Sequence, residues 1–249
     1  MAIPTAVQLY TLRKETEKDF EGTLRKVADL GFAGVEFAGL GSYTASEMKQ
    51  LLDELGLKAV SSHVPLEQIK NNLTQVIEVQ KTLGSEYIVC PYFEPEGEAD
   101  YIKLIGVLKR AGEMCRLEGI TLCYHNHDFE LDKLSDGRTA LETIFDDVEP
   151  ADLKAELDIY WLQKAGQDPA AWIDRYQGRT PLIHLKDMTT DEEQFFAELG
   201  TGGVDLEAVL TKGEAAGVKW WIVEQDASRL TPLESLEISI NYLKKKGIA

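Results

Sequence analysis

The sequence predicts an α/β protein, a single closed (β/α)8 barrel spanning residues 1–249. Three observations carry this. Eight apolar runs of strand length recur along the chain, their starts about 24 to 38 residues apart, which is the length of one strand–helix unit. Between them lie segments with apolar residues at helical spacing, and several end in the same phrase: Leu30-Gly31, Leu55-Gly56 and Leu83-Gly84, with variants at Glu118-Gly119 and Ala216-Gly217. The alternative, an open doubly wound sheet, usually has fewer strands in this length and a Gly-rich turn after the first. Here the first run continues Gln8-Leu9-Tyr10-Thr11-Leu12-Arg13, without glycine.

Taken in order, the first strand is expected over Ala6–Tyr10. Phe20, Leu24, Val27 and Leu30 then share one helical face, and Gly31 stops that helix. The second strand is Gly34–Ala38, followed by Met48, Leu51, Leu52 and Leu55 before Gly56. The third is Lys58–His63, followed by Leu73, Val76, Ile77 and Leu83 before Gly84. The fourth is Tyr87–Tyr92, followed by Leu104, Val107, Leu108, Ala111 and Leu117 before Gly119. Thr121–Asn126, Lys154–Ile159, Leu182–Asp187 and Trp220–Gln225 supply the remaining four.

Composition narrows the partners. An apolar fraction of 44% and a charged fraction of 28% suit a soluble protein with a sizeable core. The formal charge of −17 disfavours a nucleic-acid partner, which needs clustered Lys and Arg, and an anionic membrane surface for the same reason. Cys90, Cys115 and Cys123 form no CxxC pair and read as reduced, buried thiols. Met1 to Thr5 lacks the pattern of a leader, and no run reaches the roughly 18 apolar residues of a membrane span. The expectation is a cytoplasmic protein.

In such a barrel the active site is built at the C-terminal strand ends. All four histidines, His63, His125, His127 and His184, fall there. Alternation places Glu156 with Asp158, His184 with Lys186, and Glu224 with Asp226 on shared faces, and His125 with His127 if that strand runs far enough. Charged groups inside a barrel are costly unless paired or metal-bound. Carboxylates and imidazoles converging from strands five to eight therefore suggest a divalent-metal site of mixed O and N ligands, against a buried ion-pair network.

The ordered set of motifs resembles the xylose-isomerase-like TIM-barrel superfamily of sugar (phosphate) isomerases and epimerases, which also holds inosose dehydratases and the endonuclease IV type. The motifs are Val7-Gln8-Leu9-Tyr10-Thr11-Leu12-Arg13, Gly34-Val35-Glu36-Phe37, Tyr124-His125-Asn126-His127-Asp128-Phe129-Glu130 and Glu156-Leu157-Asp158-Ile159-Tyr160-Trp161. His184-Leu185-Lys186-Asp187, Glu198-Leu199-Gly200-x-Gly202 and Val223-Glu224-Gln225-Asp226 complete it. The resemblance implies metal ligands Glu, Asp, His and Glu from strands five to eight. Asp158, His184 and Glu224 match the last three, and His125 stands where the first glutamate would be. The superfamily's Asp-x-x-His also reads Asp158-x-x-Trp161 here. Both departures speak against the symmetric two-glutamate chemistry of the known epimerases.

The resemblance thus implies a metal-dependent isomerase or epimerase acting by proton abstraction next to a carbonyl, through an enediolate. Its metal would be Mn²⁺, with Zn²⁺, Mg²⁺ or Co²⁺ as alternatives, held by His125, Asp158, His184 and Glu224. Its substrate would be a small sugar or inositol derivative, and a homo-oligomer is compatible with it. Glu224 and His127 are the expected proton-transfer groups, while Glu36, His63, Trp161 and Lys186 are expected to contact substrate. The bland readings are structural pairing for Glu36 and His63, loop anchoring for His127, and a core hydrogen bond for His125. Lys186 would otherwise pair with Glu156 or Glu224, and Trp161 would close the barrel top. Gly200-Thr201-Gly202-Gly203 reads as a lid or turn more than as a phosphate cradle. Loss of a β-hydroxyl or β-glycosyl group would instead make the protein a dehydratase or lyase. A carbohydrate-binding barrel without catalysis is a further alternative, and a DNA-repair endonuclease is disfavoured by the four histidines and the acidity.

Overall fold

The computed structural model describes residues 2–248. Eight parallel strands close a barrel: β1 Thr5–Gln8, β2 Gly34–Phe37, β3 Lys58–His63, β4 Tyr87–Cys90, β5 Thr121–His125, β6 Lys154–Asp158, β7 Leu182–Leu185 and β8 Trp220–Val223. Each strand pairs with its neighbours in sequence, and β8 closes on β1. Each is followed by a long outer helix: α1 Phe20–Leu30, α2 Ala45–Leu55, α3 Leu73–Leu83, α4 Glu98–Leu117, α5 Ala140–Asp147, α6 Pro169–Arg175, α7 Leu206–Ala216 and α8 Pro232–Lys245. Short helical turns and a two-stranded hairpin, Asp187–Met188 with Phe196–Ala197, decorate the C-terminal face.

The helix stops work as the sequence predicts. Gly31, Gly56, Gly84 and Gly217 all take left-handed φ values at helix C-termini, where a side chain would be strained. Thr44, Thr139 and Thr231 begin α2, α5 and α8 with reciprocal capping boxes to Glu47, Glu142 and Glu234.

Most of the expected strands run one or two residues too far. β1 ends at Gln8, whose side-chain carbonyl accepts the N–H of Tyr10 and turns Leu9–Leu12 into a 3-10 helix. β6 ends at Asp158, whose carboxylate accepts from Tyr160 N and Trp161 N and caps the short helix Ile159–Lys164. In both places a polar side chain takes over backbone donors and so ends the ladder.

The interior is layered. Ala6, Cys123, Leu182 and Ile222 each lie two residues before Gln8, His125, His184 and Glu224 on the same strand and therefore share their inward face, nearer the N-terminal end. With Val60, Tyr87 and Val89 these residues form an apolar plug. The larger core fills the space between the strands and the helices. Polar residues occupy the upper layer, in a register that pairs Gln8 with Glu36, Glu36 with Ser61, His125 with Glu156 and Asp158 with His184. A register shift between Val35 and Glu36 opposite β3 contributes to this alignment.

Candidate active site

The deeper polar residues form a closed set. Glu36 Oε1 accepts from Gln8 Nε2 at 2.7 Å, and Glu36 Oε2 accepts from Ser61 Oγ at 2.5 Å. His184 Nε2 stands 2.7 Å from Glu36 Oε1, and His63 Nε2 lies 2.8 Å from Glu156 Oε2 and 3.2 Å from Glu36 Oε1. Burial opposes charge on every ionisable group here; opposite charges prevail at Glu36, His63 and His184, whereas at Glu156 burial and the neighbouring Glu36 win and raise the carboxyl. Glu36 lies well below the usual carboxylate range because His63 and His184 outweigh its burial. The same carboxylates outweigh burial at His63, raising it to about 10, and at His184, with Glu224 added.

Above them, His184 Nδ1 is 2.9 Å from Glu224 Oε2 and 3.8 Å from Asp158 Oδ2, and His125 Nε2 is 3.8 Å from the same Asp158 oxygen. Lys186 Nζ lies 2.9 Å from Asp158 Oδ2, 2.6 Å from Glu224 Oε2 and 2.8 Å from Asp226 Oδ2. Burial raises Asp158 to about 6, with Lys186 and His184 opposing. At Glu224, Lys186 and His184 outweigh burial and hold the carboxyl well below its ordinary range, so it is ionised at neutral pH. His125 and His127 are neutral. Burial lowers both, with His184 the next cause at His125 and Lys186 at His127, which falls to about 3.

These residues fit a divalent cation. Donor atoms of His125, Asp158, His184 and Glu224 all lie within 4.8 Å of one another, and all four residues are buried. Asp158 Oδ1 is held by its two capping amides, which leaves Oδ2, buried and paired with Lys186 at 2.9 Å, as the oxygen turned toward the other donors. Two imidazoles and two carboxylates are a common set for Mn²⁺, Zn²⁺ or Co²⁺.

A cavity of about 900 Å³ opens over this centre, with His63, His125, His127, Glu224 and Asp226 on its polar side. Tyr10 and Tyr92, each about half exposed, flank it, and Phe37, Leu40, Val64, Val76 and Val79 line the arm over β2 to β4.

The structure therefore brings His63, His125, His127, Asp158, His184, Lys186 and Glu224 into one region, as the sequence reading requires. Glu36 is placed differently: it has no exposed surface and no part in the cavity wall, because it lies under His63 and His184. Lys186 pairs with Asp158, Glu224 and Asp226 and not with Glu156. Trp161 sits beside the centre, its ring 5.4 Å from that of His127 and 5.8 Å from Lys186 Nζ, but outside the cavity lining. The glycine loop is not a phosphate cradle. Its amides at Gly200, Gly202 and Val204 all donate to the buried carboxylate of Asp187 at 3.0 Å.

Three contributors escaped the sequence reading. Gln8 and Ser61 orient Glu36, and for Gln8 the alternation with Ala6 was an available signal. Glu130 accepts from Tyr124 Oη and from His127 N at 2.8 Å each, which fixes the strand-five loop, and no spacing rule marks it.

The description of the xylose isomerase-like TIM barrel matches residues 24–246. The chain belongs to that family. Within the xylose isomerase-like family it is similar to an inosose dehydratase of Lacticaseibacillus casei, 22% identical over 91% of this chain and 89% of that protein. It is also similar to a hydroxypyruvate isomerase of Escherichia coli, 25% identical over 83% of this chain and 87% of the other. A sugar phosphate isomerase/epimerase from Parabacteroides distasonis superposes with a TM-score of 0.86 at 23% identity, covering 98% of this chain and 94% of that one. The family assignment and the His/Asp/Glu cluster together support a metal-dependent carbohydrate-active enzyme.

Proposed function

We propose that the protein is a divalent-metal-dependent isomerase or epimerase that removes the proton next to the carbonyl of a small keto sugar or keto polyol. The observation that carries this reading is Glu224. It is an ionised carboxylate on the cavity wall and also part of the buried donor set. His125, Asp158, His184 and Glu224 would hold the metal, Mn²⁺ in our reading, which supplies Lewis-acid polarisation of the carbonyl when bound.

The chain's own residues supply the rest. Glu224 takes the proton from the carbon, and Lys186 keeps this carboxylate charged between turnovers. His127, neutral and with Nδ1 free of protein partners, offers a hydrogen bond to a substrate hydroxyl. His63 and Asp226 face the same space and orient further hydroxyls. Trp161, behind His127, limits how far that ring can turn. One base on one side favours moving a proton between adjacent carbons on a single face, which is isomerisation. The histidine at the strand-five position leaves no second carboxylate for the opposite face.

A second reading, elimination of a β-hydroxyl, is favoured by the same asymmetry and by the similarity to inosose dehydratases. It needs one base and a proton for the departing hydroxyl: Glu224 takes the proton from the carbon and returns it to that hydroxyl, which His127 holds by a hydrogen bond, so that the group leaves as water.

Incubating hexuloses, pentuloses and inososes with the metal-loaded protein in D₂O tests both. Deuterium is expected at the carbon next to the carbonyl, and the product distinguishes isomerisation from dehydration. Glu224→Gln is expected to slow exchange on the order of 10²–10⁴-fold, and both it and His184→Ala to lose bound metal. No exchange with any of these sugars, or full metal retention in both variants, would sink the proposal. Sugar binding that chelation leaves unchanged, with no turnover, would make the barrel a carbohydrate-binding protein instead.

A further inference from the structure

The upper layer holds four buried carboxylates, and they are not equally neutralised. Asp158 and Glu224 have the ammonium of Lys186 within 2.9 Å. Glu36 and Glu156 have no lysine or arginine among the described residues within ion-pair distance, and the basic side chains beside them are those of His63, His125 and His184. Two fully buried carboxylates side by side, without a fixed positive charge, are an expensive arrangement. In addition, Glu156 Oε1 is buried and has no hydrogen-bond partner.

The donors around Glu156 are spaced like ligands. Glu156 Oε2 stands 2.8 Å from His63 Nε2, 3.2 Å from His125 Nδ1 and 3.3 Å from His184 Nε2, and donors from these four residues all lie within 4.8 Å of one another. Ligands bound tetrahedrally at about 2.0–2.1 Å stand roughly 3.4 Å apart. We propose that His63 Nε2, His125 Nδ1 and Glu156 form a second divalent-cation position, beneath the one that the proposed function uses. A set richer in nitrogen than in oxygen selects Zn²⁺ or Co²⁺ over Mg²⁺ or Ca²⁺.

The two positions share histidines, and a neutral imidazole ligates through only one nitrogen. The hydrogen bonds decide the partition. His184 turns Nδ1 toward Glu224 and Nε2 toward Glu36 at 2.7 Å, so it serves the outer ion while Nε2–H donates to Glu36. His125 has its shorter contact through Nδ1, to Glu156, and its longer one through Nε2, to Asp158. It serves the outer ion when one is bound and the inner ion when both are, by a change of tautomer without rotation of the ring. Each ion then has three protein ligands and an open position. The inner site restrains the strand-three and strand-five histidines that face the cavity.

The test is a metal count. Protein stripped with chelator, saturated with Zn²⁺ and desalted is expected to carry two ions per chain by mass spectrometry of the metal. His63→Ala is expected to carry one, and Asp158→Asn also one, by loss of the outer ion. One ion in the wild type, or two in His63→Ala, overturns the inner site. An Asp158→Asn protein that still holds as many ions as the wild type would count against the outer site instead, so the two failures are distinguishable. His63 lies on the cavity floor with its side chain 12% exposed, where truncation leaves the plug beneath untouched. If His63→Ala does not fold, His63→Gln replaces it in the count. Co²⁺-loaded Asp158→Asn is expected to show visible d–d absorption that is lost when His63 is also replaced, and a spectrum that persists overturns the assignment.

Discussion

Glu130 shows how a single side chain can matter without touching the cavity. It is buried, and burial raises its pKa from 4.5 to about 7, although Tyr124 Oη and His127 N both donate to it. The folded protein therefore keeps this proton to about pH 7, whereas the unfolded chain releases it near pH 4.5. Its contribution is fully present below about pH 4.5 and is lost as the pH rises to 7, a difference of up to about 3 kcal/mol. Glu130→Gln, which cannot titrate, is expected to show a flatter dependence of the urea midpoint on pH between 5 and 8, and an unchanged slope would refute this. At this scale the sequence was informative where a rare residue recurs at one kind of place. Four histidines at the ends of three strands gather in one region. Glu130 offered nothing comparable, because glutamate is common and its partners are a tyrosine hydroxyl and a backbone amide.

At the scale of elements, the loop after the hairpin is organised by one anion. Asp187 accepts from Met188 N, Gly200 N, Gly202 N and Val204 N, and a Cβ at Gly202 would lie 2.3 Å from its Oδ1. Asp187→Ala removes the buried acceptor of all four amides and strands those of Met188 and Val204, which are themselves buried, and this is expected to cost about 3 kcal/mol. In a protein of this size that lowers Tm on the order of 6–12 °C, and a melting curve within 2 °C of wild type would show that the loop is held otherwise. The glycine spacing was visible in the sequence, but its partner lies 13 residues upstream of Gly200 and made the loop look available to a phosphate. Helix stops were legible because glycine at a C-cap acts locally. Strand ends were less so, since Gln8 and Asp158 end their ladders through side-chain hydrogen bonds that hydropathy does not register.

For the whole molecule, the order of eight units was legible from periodicity alone, whereas the depth of each polar residue was not. Depth depends on barrel register and on the irregularity opposite β3, so Glu36 and Glu224 read alike in the sequence and yet end up below and beside the cavity. The apolar plug of Ala6, Val60, Tyr87, Val89, Cys123, Leu182 and Ile222 has a kinetic meaning as well. It stops the N-terminal end, which leaves a captured ion one exit, past Glu224 and out through the cavity mouth. A sugar seated in that mouth acts as a cork. Transfer of metal to excess chelator is accordingly expected to slow when a keto sugar that supports deuterium exchange is present, and equal release rates would reveal a second exit. In this architecture the lifetime of the bound ion is set by the occupancy of the substrate.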